Sequence, residues 1–221
     1  YHGKSMGALS LTFSPKYREP FQPLVEKVSF SPYGDVDALQ DVVDKDTAFV
    51  ILEPIQGESG IHVPPEGFLQ DVRKICDEND SLLIFDEIQS GLGRTGHMWA
   101  SEHWKTIPDI MCLAKGIAGG VPMGVTLVRP DILAVMKKGE HSSTFGGNPL
   151  ACAAGTATLQ ALTQDGLIQN AKSMGEKFSN GLEELKSKHP IIREVRGKGL
   201  MIGVELKFEV KDILMEGIKN G

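Results

Sequence analysis

The sequence contains few cysteines, few aromatic residues and no long apolar run. Three cysteines, Cys76, Cys112 and Cys152, occur in 221 residues, and their spacing matches no paired zinc-ligand motif. A small and odd number of cysteines is typical of proteins in a reducing compartment, and we expect a cytoplasmic protein. Aromatic residues make up 6% of the chain. No stretch reaches the roughly 18 consecutive apolar residues that predict a membrane-spanning helix.

The sequence also lacks an excess of positive charge. Lysine and arginine number 23 against 29 aspartates and glutamates, and the net charge is −6. Because no basic cluster stands out, nucleic-acid binding is not expected. His97 and His103 belong to no metal-binding motif, and we predict no metal site. With 41% hydrophobic residues, the chain has enough apolar surface to fold around a core.

Neither end of the sequence resembles the end of a domain. The chain begins Tyr1-His2-Gly3, without Met or a signal peptide, and closes on an apolar-periodic stretch at 212–218. We therefore expect a piece of a longer protein that carries part of its function.

Short apolar runs alternate with helix-like stretches along most of the chain. Continuous apolar strands separated by helices predict an open α/β fold with a mostly parallel sheet. The predicted strands are 47–52, 81–85, 109–113 and 122–128, and the predicted helices are 65–79, 148–161 and 167–189. Residues 9–20 are predicted as strand and loop.

From about Gln164 the pattern changes to helix, strand, strand, helix. The strands are predicted at 191–195 and 200–206, around a Gly-Lys-Gly turn. This order favours a smaller α+β domain. We place the boundary so that residues 1–163 form the large domain and residues 164–221 an incomplete small domain.

Charged residues follow two of the buried strands, where parallel sheets bind their ligands. Asp86 follows the second predicted strand and Lys115 the third. Both are flanked by apolar strand residues, so an unpaired charge there would be costly. A heteroaromatic aldehyde would satisfy both groups. Lys115 would condense with the aldehyde, Asp86 would keep a ring nitrogen protonated and Gln89 would donate to a ring oxygen, which is the chemistry of pyridoxal phosphate (PLP).

Each of these residues also has a structural interpretation. An aspartate after a strand often caps a helix, and a single lysine is usually a solvated surface charge. The surrounding glycines favour function, because such loops let the backbone approach a ligand closely. They are Gly91, Gly93 and Gly96 after the aspartate, and Gly116, Gly119, Gly120 and Gly124 around the lysine.

Segment 141–149 is a candidate phosphate site. It combines hydroxyl side chains with the start of a predicted helix, where free N–H groups would suit a phosphate. Asn148 followed by Pro149 is equally typical of an ordinary helix N-terminus, and both interpretations can hold together.

Taken in order, the motifs resemble those of a known enzyme family. The sequence resembles the class III (ornithine-type) aminotransferases of PLP fold type I, and among them the acetylornithine and carrier-protein-linked lysine aminotransferases of arginine and lysine biosynthesis. The matching stretches cover nearly the whole chain; they are YHGKSMGAL, EPIQGESG, LLIFDEIQSGLGRTG, PDIMCLAKGIAGGVPMG, HSSTFGGNPLACAAG and VRGKGLMIGVEL.

The resemblance implies which residues contact the cofactor ring. Lys115 is implied to be the lysine that bonds to PLP and transfers protons during catalysis. Asp86 is implied to pair with the pyridine nitrogen, and Gln89 to contact the ring hydroxyl. Ile88 and Tyr1 would pack on opposite faces of the ring.

The resemblance also implies residues around the ring. Glu87 is part of the cofactor-binding motif, and Thr144 would reach the cofactor phosphate across a homodimer interface. Ser143 and Glu58 would lie near the substrate, with Glu58 gating its entry. Lys4 stands where many relatives carry an arginine that binds a substrate carboxylate, and a lysine lacks the bidentate fork of that arginine.

The implied reaction moves an ω-amino group from an acetylornithine, ornithine or lysine-type donor to 2-oxoglutarate. The family's phosphate-binding loop is expected before Tyr1 and its substrate-binding arginine after Gly221, outside this chain. An inactive truncated scaffold of the same fold is therefore one alternative.

A P-loop ATPase is the second alternative. Gly3-Lys4-Ser5 resembles the end of a P-loop, and residues 84–87 resemble the acidic strand of an ATPase. A P-loop lysine should open a helix, whereas residues 9–20 are predicted as strand and loop, which argues against this alternative.

Overall fold

The computed structural model describes residues 1–221 and contains two sheets. The strands are β1 Phe49–Leu52, β2 Leu82–Asp86, β3 Ile110–Leu113, β4 Val125–Val128, β5 Ile192–Lys198 and β6 Met201–Leu206. The α-helices are α1 Met6–Ser10, α2 Pro15–Arg18, α3 Val36–Gln40, α4 Phe68–Glu78, α5 Pro130–Leu133, α6 Pro149–Gln164, α7 Leu167–Lys188 and α8 Lys211–Asn220. Short 3-10 helices span Glu19–Phe21, Ala100–Trp104 and Lys115–Ala118.

The main sheet has the order β1-β2-β3-β4. Strands β1, β2 and β3 are parallel, and β4 pairs antiparallel with β3 at the edge. The predicted α/β class with a mostly parallel sheet is therefore confirmed. The reversal at β4 has a local cause, because the connection from Leu113 to Val125 holds one 3-10 turn and is too short for the helical crossover that a parallel strand needs.

The apolar core lies between the sheet and α4. This helix buries one face through Phe68, Leu69 and Val72, which pack in one cluster with Leu83 and Phe85 of β2. Leu83 and Phe85 are fully buried, and continuous apolar runs of this kind are typical of a strand covered on both faces. The core thereby fixes the end of β2, where Asp86 lies.

The amino end of the parallel strands is held by ion pairs around Asp109. Its carboxylate accepts hydrogen bonds from the Leu83 backbone N–H at 2.7 Å and from Arg73 Nη1 at 2.7 Å. Arg129 Nη1 donates to the second oxygen of the same carboxylate. Asp109 therefore has a structural role at the amino end of the strands. The predicted catalytic residues, Asp86 and Lys115, lie at the opposite, carboxyl end.

The predicted strand at residues 9–20 is wrong, and the predicted loop is confirmed only at residues 11–14. The segment contains the end of α1 and the whole of α2. Leu9 is buried, and the hydroxyl of Ser10 donates to the Met6 carbonyl at 2.7 Å, so serine is accommodated within a helical turn. Pro15 takes the first position of α2, where proline is favoured. A helix thus does begin soon after Lys4, and the local argument against a P-loop does not hold.

The second sheet pairs β5 with β6 as an antiparallel hairpin, and α7 packs on it. The predicted order of helix, strand, strand, helix is confirmed by α7, β5, β6 and α8. Gly175 of α7 lies so close to Gly199 in the hairpin turn that a Cβ atom at position 175 would overlap the Gly199 backbone. The break between α6 and α7 falls at 165–166, beside the predicted domain boundary, which remains a proposal.

We expect opposite effects from two glycine-to-alanine substitutions in α7. Gly175→Ala should lower the free energy of unfolding by about 1–3 kcal/mol, because a methyl group is forced onto the Gly199 backbone. Gly181→Ala, in the same helix with open space around its Cβ position, should raise it by about 0.5–1 kcal/mol. Urea denaturation measures both. Equal shifts would contradict the close packing of α7 on the hairpin.

Candidate functional site

Asp86 ends β2 at the carboxyl edge of the sheet and is 5% exposed. Its Oδ1 atom accepts a hydrogen bond from the backbone N–H of Ile88 at 3.0 Å. Its Oδ2 atom lies 3.0 Å from His2 Nδ1. The carboxylate is therefore buried but paired, as a charge at this depth requires.

Lys115 follows β3 and begins the 3-10 helix Lys115–Ala118. Its backbone has φ +42°, in the left-handed region that non-glycine residues seldom occupy. Such strain is common where a side chain must be aimed at a ligand. The exposed Nζ atom donates to Gln89 Oε1 and lies 2.9 Å from His2 Nε2.

The imidazole of His2 therefore connects the two predicted catalytic residues. The tautomer with a proton on Nδ1 satisfies both contacts, because Nδ1–H donates to Asp86 and Nε2 accepts from Lys115. The His2 side chain is 8% exposed. Asp86, Gln89 and Lys115 thus converge on one nitrogen heterocycle, as the ends of neighbouring strands predict.

Sequence reasoning missed His2 and Glu53 as members of the site. His2 lies outside any predicted element, so no periodicity could have placed it. The position of Glu53 could have identified it, because it directly follows β1, and Lys115 lies similarly two residues after the end of β3. Burial raises the pKa of Glu53, and a hydrogen bond from the Gly57 N–H at 3.1 Å opposes that rise.

The side chain of Glu87 is fully buried within the loop that follows β2. It accepts hydrogen bonds from Ser90 Oγ at 2.6 Å, Ala100 N at 3.0 Å and Ser101 N at 2.8 Å. Burial raises the pKa of Glu87, and these three donors oppose the rise. Because its acceptors are used inside the loop, Glu87 shapes the loop that carries Gln89, and its predicted contact with the cofactor has no support here.

Tyr1, Lys4 and Glu58 lie together beside the site. The Lys4 ammonium lies 5.0 Å from the centroid of the Tyr1 ring and 4.3 Å from that of Tyr17. Desolvation, Glu58 and Tyr17 together raise the pKa of the Tyr1 phenol. Tyr17 was not predicted, because its proximity depends on the helices at residues 6–18. The aromatic faces hold the lysine charge in place by cation–π attraction.

Ser143 and Thr144 are exposed, and no hydrogen bond joins either of them to Asp86, Gln89 or Lys115. The Ser143 hydroxyl accepts from the Gly146 N–H at 3.0 Å. The predicted helix start is confirmed, since Asn148 Oδ1 accepts from the Ala151 N–H at 2.9 Å and Pro149 follows it. A phosphate-binding role for this segment stays a prediction.

A cleft of about 490 Å³ opens beside Lys115. Ile88 and Gln89 line it from the loop after β2, Thr158 from α6, and Leu200 and Ile202 from the hairpin. A larger cleft, of about 660 Å³, lies beside Asp109 and Arg129 at the amino end of β3, away from the predicted catalytic residues. The smaller cleft is the one that gives access to Lys115 and Gln89, and Asp86 does not line it.

Comparison with known proteins finds relatives that match along nearly the whole chain. The sequence profile described as aminotransferase class III matches residues 1–221. An acetylornithine aminotransferase of Methanopyrus kandleri is 50% identical over 206 residues, covering 93% of this chain and 52% of that protein. Ornithine aminotransferase 1 of Staphylococcus saprophyticus is 43% identical over 222 residues, covering 100% of this chain and 56% of that protein.

Solved structures show the same similarity. An ornithine aminotransferase of Toxoplasma gondii, described with partial occupancy of PLP at its active site, superposes with a TM-score of 0.93 at 38% identity and covers 100% of this chain and 53% of that one. The chain therefore spans about half the length of the relatives it matches.

None of its helices is both long enough and apolar enough to cross a membrane.

We expect Glu87→Ala to destabilise the fold by about 3 kcal/mol, because three buried donors would lose their acceptor. Glu87→Gln, which keeps one acceptor oxygen, should cost less. Urea denaturation followed by circular dichroism gives both values. A loss below about 0.5 kcal/mol for Glu87→Ala, the range of ordinary surface substitutions, would show that its carboxylate is free for another partner.

Proposed function

The chain belongs to the class III aminotransferases, and we propose that it carries the cofactor-binding centre of an enzyme that transfers a terminal amino group. Class III aminotransferases depend on PLP, and PLP is the cofactor we assign to Asp86, Gln89 and Lys115. The proposed donor is acetylornithine or ornithine, after the names of the relatives. The proposed acceptor is 2-oxoglutarate, and the proposed setting is arginine biosynthesis in the cytoplasm.

One observation carries the proposal. Asp86, Gln89 and Lys115 already converge on a nitrogen heterocycle, the imidazole of His2. A carboxylate that faces a ring nitrogen and an amine that faces the far side of the same ring are the groups that PLP needs. The donor set therefore fits the cofactor, which would compete with His2 for Asp86.

When bound, PLP supplies an aldehyde that exchanges with amines and a ring that accepts electrons. The chain's own residues have defined parts in this chemistry. Asp86 would hold a proton on the ring nitrogen, a charge-assisted contact worth about 1.5–3 kcal/mol. Gln89 would donate to the ring oxygen, and Lys115 Nζ would carry protons to and from the substrate. Ile88 and Tyr1 would cover the ring faces and exclude water.

The substrate side of the proposal rests on Lys4. Its ammonium is held between two tyrosine rings, where it can meet a carboxylate of the donor as a point charge. Glu58 lies near Tyr1, and its proposed role as a gate for the substrate rests on the resemblance to the family.

A homodimer with shared active sites is part of the proposal. Thr144 is exposed, and so is its neighbour Phe145, which is 81% exposed. Leu150 at the start of α6 is 71% exposed. Large apolar side chains in one exposed segment favour burial against another chain. From such an interface, Thr144 and Ser143 would reach the cofactor and substrate of the partner subunit.

Trapping with borohydride tests the proposal. The full-length protein is incubated with PLP, reduced and digested, and the modified peptide is identified by mass spectrometry. We expect the label on Lys115, and its loss in Lys115→Ala. Lys137→Ala removes an exposed lysine outside the predicted site, and this variant should keep the label.

Two results would contradict the proposal. Label on a different lysine would move the cofactor away from Asp86. No label on the wild-type protein would favour the alternative of an inactive scaffold with the same fold.

A further inference from the structure

Arg196 of β5 contacts the loop that follows β1, 135 residues earlier in the chain. Its Nε atom donates to the carbonyl oxygens of Gly60 and Ile61, each at 3.0 Å. Its Nη1 atom donates to Glu194 Oε2 at 2.7 Å and to Glu205 Oε2 at 2.6 Å. The side chain of Arg196 is 15% exposed, and it donates to two carboxylates and two backbone carbonyls at once.

The contacted loop, residues 57–61, has a strained shape. Ile61 has φ +58°, a conformation that a β-branched residue avoids, and Gly60 has φ +116°. Strain of this kind persists where neighbouring structure enforces it. The β5–β6 hairpin provides that structure, because Gly203 approaches the Gly60 carbonyl so closely that a Cβ there would lie 2.9 Å from the oxygen.

The other end of the same loop packs on the candidate site. Gly57 lies against the side chain of Gln89, so closely that a Cβ atom on Gly57 would overlap it. Gln89 in turn accepts a hydrogen bond from Lys115. A continuous series of contacts therefore runs from Arg196, through the loop, to Gln89 and the Lys115 amine. Glu58, the proposed gate, lies within the loop.

We propose that Arg196 is a positioning residue that sets the 57–61 loop against Gln89 and Lys115, so that the placement of the hairpin controls the geometry of the site. The part that concerns Lys115 rests on the proposed function, and the part that concerns the loop does not. A lysine cannot replace this arginine, because a single ammonium cannot bond both carbonyls and both carboxylates in these directions.

The chain contains a matched control. Arg193 of β5 donates to Glu205 Oε1 at 2.6 Å, so Arg193 and Arg196 bond different oxygens of the same carboxylate. Its side chain is 59% exposed, and its hydrogen bonds do not include the 57–61 loop. Arg193→Ala therefore removes an ion pair from the same hairpin and leaves the contacts to the loop in place.

Hydrogen exchange on the full-length holoenzyme tests the proposal. In Arg196→Ala we expect the amides of residues 57–62 to exchange roughly tenfold faster, as for the loss of hydrogen bonds from an ionised donor. Arg196→Lys should show most of the same increase, and Arg193→Ala none. The absorbance of bound PLP should shift in the two Arg196 variants and stay unchanged in Arg193→Ala.

Each outcome separates the two proposals. Unchanged exchange at 57–62 in both Arg196 variants overturns the positioning role, even where PLP is trapped on Lys115. Faster exchange spread evenly over the chain also overturns it, since it shows general destabilisation. Faster exchange confined to 57–62 in a protein that traps no PLP supports the loop contact and refutes the proposed function. Where Arg196→Ala does not fold, Arg196→Lys decides.

Discussion

The site depends on one buried carboxylate at the end of β2. Asp86 is placed there by the packing of Leu83 and Phe85 against α4, and at this depth its charge needs a donor. The Ile88 N–H satisfies one oxygen, and the His2 ring satisfies the other. The proposed place of the cofactor ring follows from the need for a protonated nitrogen opposite Asp86.

The charged residues at the two ends of the parallel strands have different partners. At the amino end, Asp109 accepts hydrogen bonds from two arginines and a backbone N–H, so its carboxylate stabilises the fold. At the carboxyl end, Asp86 contacts the His2 ring, and the nearby Lys115 is exposed and has a strained backbone. An aspartate therefore has a structural role at one end of the strands and a proposed chemical role at the other, and its partners rather than its residue type distinguish the two.

The sequence allowed the strands, their mostly parallel order and the approach of Asp86 and Lys115 to one point to be predicted, because apolar runs and the charges that end them are local signals. Contacts made across the chain left no such signal. His2 meets Asp86 across 84 residues, and Arg196 meets Gly60 across 136. The helices around residues 9–20 were missed because Thr12, Ser14 and Pro15 argue against a helix, whereas here Thr12 and Ser14 lie between α1 and α2 and Pro15 begins α2.

A crystal structure of the full-length protein grown with PLP tests the central claim most directly. We expect electron density that continues from Lys115 Nζ into the cofactor, with the ring nitrogen on Asp86 and His2 displaced from that oxygen. Density for PLP at another lysine, or a cofactor-loaded structure in which His2 still bridges Asp86 and Lys115, would contradict the claim that these strand ends form the cofactor site.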